Sequence, residues 1–229
     1  MTSTQTILKG ARALFGVAIL PIGHPVQPTS TIVQQSTPLV RGTAFAVRES
    51  RFLTASHVLP KALTNFNGIL LLGMVHLNSP PALVRVTSLV ARDETLDFAL
   101  LEGSLAQGYM EPLEIDFRDP ATGEDVIAVG FPLPEERGAV EDREVNLVLR
   151  ATKGIVASRY TDGSRFEIDA QFLPGLSGAP VLAAESAKVI GMAQGFRSFQ
   201  APAGGMMSAV LGISLSLNAL ASRRAELGL

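Results

Sequence analysis

The chain has 229 residues, 47% hydrophobic and 17% charged, with a net charge of −2. This is too apolar for disorder and long enough for one large or two small domains with a sizeable core. The absence of cysteine excludes a disulfide scaffold, thiol catalysis and thiolate metal sites. A charge near zero without Lys or Arg runs argues against nucleic acid as a main partner, and three separated histidines, His24, His57 and His76, argue against a bound metal.

In chain order, Lys9 and Arg12 lead into "LFGVAILPI", which lacks a small-x-small cleavage pattern and reads as a first core strand rather than a leader. No segment approaches membrane-spanning length, so no membrane partner is expected, and a cytoplasmic location is the expectation. Further apolar runs fall at 38–48, 51–55, 68–76, 82–91 and 97–102, then at 125–131, 145–150, 152–158, 165–169, 179–183, 187–194 and 206–214. Short runs rich in Val, Ile, Leu, Phe and Thr, broken by Gly, Pro, Asn and Asp, predict an all-β chain. Strand content is lowest between 103 and 124, so two units of about six strands are expected, 1–116 and 117–229. The charged stretch 132–144 reads as a solvated hairpin loop. Only 215–228 has helical periodicity, with Leu217, Leu220 and Leu227 on one side and Ser216 or Asn218 as cap.

One loop stands apart. "PGLSGAP" at 174–180 places Ser177 between Gly175 and Gly178, in a segment that packs poorly as strand or helix. It is either a plain turn or a serine whose backbone folds tightly enough to aim amides and a hydroxyl at one point. A serine nucleophile needs a base within hydrogen-bond reach and a third group to hold that base. His24 lies in a proline-bracketed loop, and His76 alternates with Val75 and Leu77 as a strand-face residue. His57, in "RFLTASHVLP", stands where a strand ends, which is a rigid mount for a base. Asp97 opens the apolar run Phe98 to Leu101, a costly place for a carboxylate unless a donor such as a His57 N–H meets it. Asp93 and Glu94 read as turn residues. Two units with reactive groups at their seam give a cleft, a common place for a site.

These residues carry a resemblance. "GTAFAV…FLTASHV", "LDFALLE" and "LPGLSGAPVL" resemble, in order, the three signature segments of chymotrypsin-fold serine proteases. "AVGFPL", "TKGIVASR" and "KVIGMAQGF" are similar to segments of the trypsin-like group that includes the HtrA (Deg-type) proteases, here without their PDZ domain. The resemblance spans roughly residues 12 to 215. It implies two six-stranded antiparallel Greek-key β-barrels packed together, followed by the C-terminal helix. It implies His57 as general base, Asp97 as its orienting partner and Ser177 as nucleophile, with the N–H groups of Gly175 and Ser177 as oxyanion hole. Gln171 and the strand 190–196 would line the specificity pocket, and Ala193, Gln194 and Gly195 would pair with substrate backbone. No cofactor or metal is implied. A polypeptide substrate is, cut after a small or medium apolar residue, since no acid matches the pocket floor.

Leu176 occupies the position where digestive relatives carry an Asp that pairs with a processed N-terminus. Zymogen cleavage is therefore not expected, and regulation, where present, would act by ordering the 174–177 loop through a ligand, a protein partner or a homo-oligomer. The alternative reading is a latent or inactive scaffold that binds peptides. The orientation of the 175–176 peptide is the expected discriminator.

Overall fold

The apolar runs become antiparallel strands that close on themselves twice. The computed structural model describes Ile7, Phe66 and residues 11–19, 40–61, 69–73, 82–132, 135–137, 144–199 and 209–229. His24 and His76 lie outside these residues. The first barrel comprises β1 (Leu14–Ile19), β2 (Val40–Arg48), β3 (Arg51–Thr54), β4 (Ile69–Gly73), β5 (Leu83–Asp93) and β6 (Phe98–Gln107). Next come β7 (Asp125–Gly130), a separate two-stranded sheet of β8 (Glu135–Arg137) and β9 (Glu144–Asn146), and β10 (Arg150–Arg159). The chain then forms β11 (Arg165–Ile168), β12 (Pro180–Ala183), β13 (Val189–Phe199) and β14 (Ala209–Ser216).

Both barrels follow one neighbour scheme. The first runs β1-β2-β3-β6-β5-β4 and closes through β1–β4; the second runs β7-β10-β11-β14-β13-β12 and closes through β7–β12. Three sequential strands are followed by the sixth, fifth and fourth, and the two six-stranded antiparallel barrels are those the resemblance implies. The charged hairpin inserts between the first two strands of the second barrel.

Residues on both faces of several strands are apolar because one face fills a barrel and the other meets its neighbour. Phe15, Phe45, Phe52 and Phe98 are fully buried in the first barrel, with Phe15 and Phe52 edge to face at 5.4 Å. Val129, Phe131, Leu182, Val189, Met192 and Leu215 of the second half join that same core cluster. The seam between barrels is thus continuous apolar packing, and each Leu or Phe buried there contributes about 1.5–3 kcal/mol.

The C-terminal helix buries Leu217, Leu220 and Leu227, the expected side, but its start differs. Leu215 and Ser216 finish β14, residues Leu217–Arg223 are 3-10 helix, and only Arg224–Leu227 is α-helical. Three residues per turn stack Leu217 directly over Leu220, so burial of that pair favours the tighter winding. Ser216 occupies the cap position without a side-chain hydrogen bond, and Asn218 instead donates to Asp119 Oδ1 at 2.8 Å. Between the barrels, residues 108–124 are pinned by Arg118, which binds Asp116 and Glu124, and by Asp119, which binds Arg159 at 2.7 Å.

Candidate active site

The imidazole comes first. Strand β3 ends at Thr54, and Ser56–Val58 make a single 3-10 turn that projects His57. Arg92, from β5, holds this turn from behind: Nε donates to Ser56 Oγ at 2.8 Å, Nη2 to Ser56 O at 3.2 Å and Nη1 to Pro60 O at 2.9 Å. His57 is therefore fixed through backbone on both sides of it.

Asp97 meets it from the β5–β6 turn. Asp93 Oδ1 accepts the N–H groups of Thr95 and Leu96, both at 2.9 Å, which bends the chain. Asp97 then adopts φ 55°, a left-handed conformation uncommon outside glycine. That turn aims its carboxylate at His57 twice. Oδ2 lies 2.8 Å from the ring Nδ1, and Oδ1 accepts the backbone N–H of His57 at 3.0 Å. The carboxylate is 22% exposed rather than enclosed, and the His57 side chain is 49% exposed. With Nδ1 donating its proton to Asp97 Oδ2, the Nε2 lone pair is the one left to accept a proton.

The serine loop is built for close approach. Pro174 and Gly175 form a turn closed by Leu176 N–H to Leu173 O at 3.1 Å, and Gly175 has φ 97°, as the third position of a type II turn requires. Gly178, at φ 85°, lies so near the first barrel that an added Cβ would overlap Thr43 O and sit 2.5 Å from Thr54 Oγ1 and 2.9 Å from Ala55 N. Val58 Cγ2 and Ser177 O lie 2.6 and 2.7 Å from where a Cβ on Gly42 would stand. Thr54 and Ala55, just before His57, thus lie against the loop that carries Ser177, and Val58, just after it, packs on the same Gly42 as that loop. The Ser177 carbonyl is tied down by Thr43 N–H at 2.8 Å. Leu176 is 1% exposed in the core of the second barrel, so an apolar anchor stands where digestive relatives use a charge pair.

The hydrogen-bond inventory of the loop is uneven. The 175–176 peptide is fully engaged: Gly175 O accepts Thr43 Oγ1 at 2.9 Å, and Leu176 N–H is spent on the turn. That peptide cannot be the discriminator; the N–H of Gly175 belongs to the 174–175 peptide. Among the described residues neither Gly175 N–H nor Ser177 N–H donates to any protein group. Ser177 Oγ donates to Gln194 O at 3.4 Å, and no hydrogen bond joins it to His57 Nε2 in this conformation.

Beside the serine is a cavity of about 350 Å³ lined by Phe172, Leu173, Pro174, Leu176, Ser177, Gln194, Gly195 and Phe196. Of the residues expected there, Gln194 and Gly195 take part. Gln171 is exposed outside it, because the chain turns and directs Phe172 inward. Ala193 is fully buried with both backbone groups spent, its N–H on Ala179 O at 2.8 Å and its O on Gly178 N–H at 2.7 Å. No group of three metal-ligating side chains forms among the described residues, and no helix there is long and apolar enough to cross a membrane.

Residues 42–192 match the trypsin-like peptidase domain, a span that includes His57, Asp97 and Ser177. The chain belongs to the trypsin-like peptidase domain family. No curated protein matches the sequence. Within this trypsin-like domain, sequence reasoning missed Thr43, Arg92, Arg165, Phe172 and the side chain of Gln194. Thr43 carries a faint signal, a hydroxyl set between Gly42 and Ala44. Gln194 carries another, a long polar side chain between Ala193 and Gly195. Arg92 and Arg165 carry none, since the partners their side chains donate hydrogen bonds to lie 31 or more and 29 or more positions away.

Proposed function

We propose that the protein is a serine endopeptidase working through an acyl-enzyme. The observation that carries this reading is the pair of unspent N–H groups, on Gly175 and Ser177, beside a hydroxyl and an imidazole whose far nitrogen is bound by a carboxylate. Rotation of Ser177 Oγ from Gln194 O toward His57 Nε2 starts the reaction. The imidazole takes the hydroxyl proton as Oγ attacks the substrate carbonyl, and the developing oxyanion accepts the two free N–H groups. The imidazolium then protonates the departing amine, and a water deacylates the serine by the same route. Asp97 keeps the imidazole in the productive tautomer and offsets its transient positive charge.

The apolar cavity supports cleavage after a small or medium apolar residue. Phe172 lines it, the ring lying 2.8 Å from where a Cβ on Gly212 would stand, and among the described residues no acidic side chain lines it to attract Lys or Arg. Substrate backbone pairing falls to Gln194 and Gly195, since Ala193 has nothing left to offer. The sequence segments shared with HtrA proteases support placing the enzyme near that group.

A second reading rests on the Ser177 hydroxyl, which faces Gln194 rather than His57: a latent scaffold that binds peptides until a ligand or partner chain turns the serine. One experiment separates them. Purified protein is treated with a fluorophosphonate probe and, in parallel, with casein. The peptidase reading expects labelling at Ser177 and casein fragmentation, both abolished in Ser177→Ala, with turnover down by about 10⁴-fold or more. Peptide binding without labelling would establish the latent scaffold, and labelling that survives Ser177→Ala would remove the serine from the mechanism.

A further inference from the structure

The trypsin-like domain match ends at Met192, two residues before a side chain that bridges the seam. Gln194 lies at a bulge in β13, where the register with β14 shifts between Ala193 and Gly195. A bulge frees a residue from its ladder and re-aims its side chain. Here the amide is sent into the first barrel. Its Nε2 donates to Leu96 O and, at 3.2 Å, to Asp97 O. Its Oε1 accepts Arg165 Nε at 2.9 Å, and Arg165 Nη2 donates to Thr95 O at 2.6 Å.

Three successive carbonyls of the turn, on Thr95, Leu96 and Asp97, are thus each covered by a donor from the opposite barrel. They belong to the turn that ends in the left-handed Asp97. Conformations of that kind cost about 1–3 kcal/mol and persist only where the surroundings over-determine them. Within the first barrel the Asp97 backbone has one further tie, Ser56 N–H to its carbonyl at 3.3 Å. Without Gln194 and Arg165, three carbonyls facing the seam lose these donors and the strained residue keeps only Ser56 N–H on its carbonyl.

We propose that Gln194 and Arg165 are a positioning pair through which the serine-bearing barrel holds the Asp97 carboxylate against His57. The role of Gln194 is double. Its side chain fixes the acid, while its backbone carbonyl receives the Ser177 hydroxyl, so one residue links the two ends of the catalytic array. The guanidinium orients the amide: with Arg165 donating to Oε1, Nε2 must face the carbonyls, which sets the flip of Gln194 by chemistry. The catalytic consequence rests on the peptidase reading; the structural one does not.

The test uses the full chain with Gln194→Met, which keeps length and bulk but removes the donors, and Arg165→Met, which removes the orienting group. The first readout is the low-field proton resonance of an imidazole Nδ1–H bound to a carboxylate, observable with or without turnover. The second is kcat and KM on a peptide substrate. Both variants are expected to stay folded, lose or broaden the resonance, and lower kcat roughly ten- to hundredfold with little change in KM, the size that about 1 Å of misplacement brings. Arg165→Lys, which keeps a donor near Thr95, is expected to recover part of the signal. Should the resonance and kcat stay at wild-type level in both Met variants, the pair has no positioning role. Should wild type show no proteolysis while the resonance is still lost in the variants, the peptidase reading fails and the positioning pair stands. If Gln194→Met does not fold, Arg165→Met decides, since Arg165 is partly exposed and packs no core.

Discussion

The two barrels share one strand order yet treat their hydrogen-bonding groups in opposite ways. On the first, the residues around His57 and Asp97 are saturated: both Asp97 carboxylate oxygens accept from His57, and Ser56 and Pro60 carbonyls accept from Arg92. On the second, the 173–178 loop spends the groups that fix its shape, the Leu176 and Gly178 N–H and the Leu173, Gly175, Leu176 and Ser177 carbonyls, while Gly175 N–H and Ser177 N–H find no acceptor among the described residues. A base must be held in one orientation and tautomer, so its surroundings are closed. A binding site for a transient negative charge must keep donors in reserve, which is tolerable only where solvent or substrate can reach them.

The contrast can be broken from either side. The largest expected effect is Asp97→Asn, which leaves the geometry but presents the wrong partner to Nδ1. On the peptidase reading, and by analogy with the equivalent change in serine proteases, kcat should fall by about 10⁴-fold with fold and KM retained; a fall under tenfold would remove Asp97 from the mechanism. Next is Gly178→Ala, which forces a Cβ into Thr43 O at a φ that alanine resists. A loss of about 2–4 kcal/mol in urea unfolding is expected, together with lost activity because the loop must lift off the first barrel.

Thr43→Val sharpens the comparison, for Thr43 Oγ1 both donates to Gly175 O at 2.9 Å and accepts Phe131 N–H at 3.1 Å. Two buried partners would be stranded, at about 1–3 kcal/mol. The Gly175 peptide would be freed to turn, so kcat should drop more than stability alone explains. The smallest effect lies away from the site. Hydrogen bonds from Arg118 and from Ala121 N–H hold the Glu124 carboxyl below its ordinary value of 4.5. A lowered folded-state value means stability that is complete above about pH 4.5 and lost as pH falls through the folded value. Because Arg118 is 41% exposed, that contribution is under about 1 kcal/mol. Glu124→Gln should therefore lower neutral-pH stability slightly and flatten the acid limb of the unfolding curve, with the site untouched.

Much of this was legible in the residues. Val40–Arg48 and Asp125–Gly130 announce strands because β-branched and aromatic runs between turn residues have few other uses. His57 stood out by following a strand, Asp97 by opening one, and Gly175 and Gly178 by flanking a serine where no regular element profits from them. The helix was placed within two residues, but its 3-10 winding was not foreseen, since periodicity alone does not distinguish a stack of Leu217 on Leu220 from a looser α-turn. The resemblance implies Gln171 in the pocket, yet it is the next residue, Phe172, that lines the cavity. Ala193 was assigned to substrate, yet the serine loop had already taken both its backbone groups.

The amino-acid order by itself determined which segments become strands and which residue types can act as base, acid and nucleophile, because those follow from side-chain chemistry and local pattern. Tertiary structure alone decided which N–H groups remain open, where the serine hydroxyl points, and that Gln194 and Arg165 reach across the seam to Asp97. Whether a donor is spent depends on acceptors roughly 70 to 130 positions away, such as the Gly175 carbonyl for the Thr43 hydroxyl, and only folding brings those within 3 Å of one another.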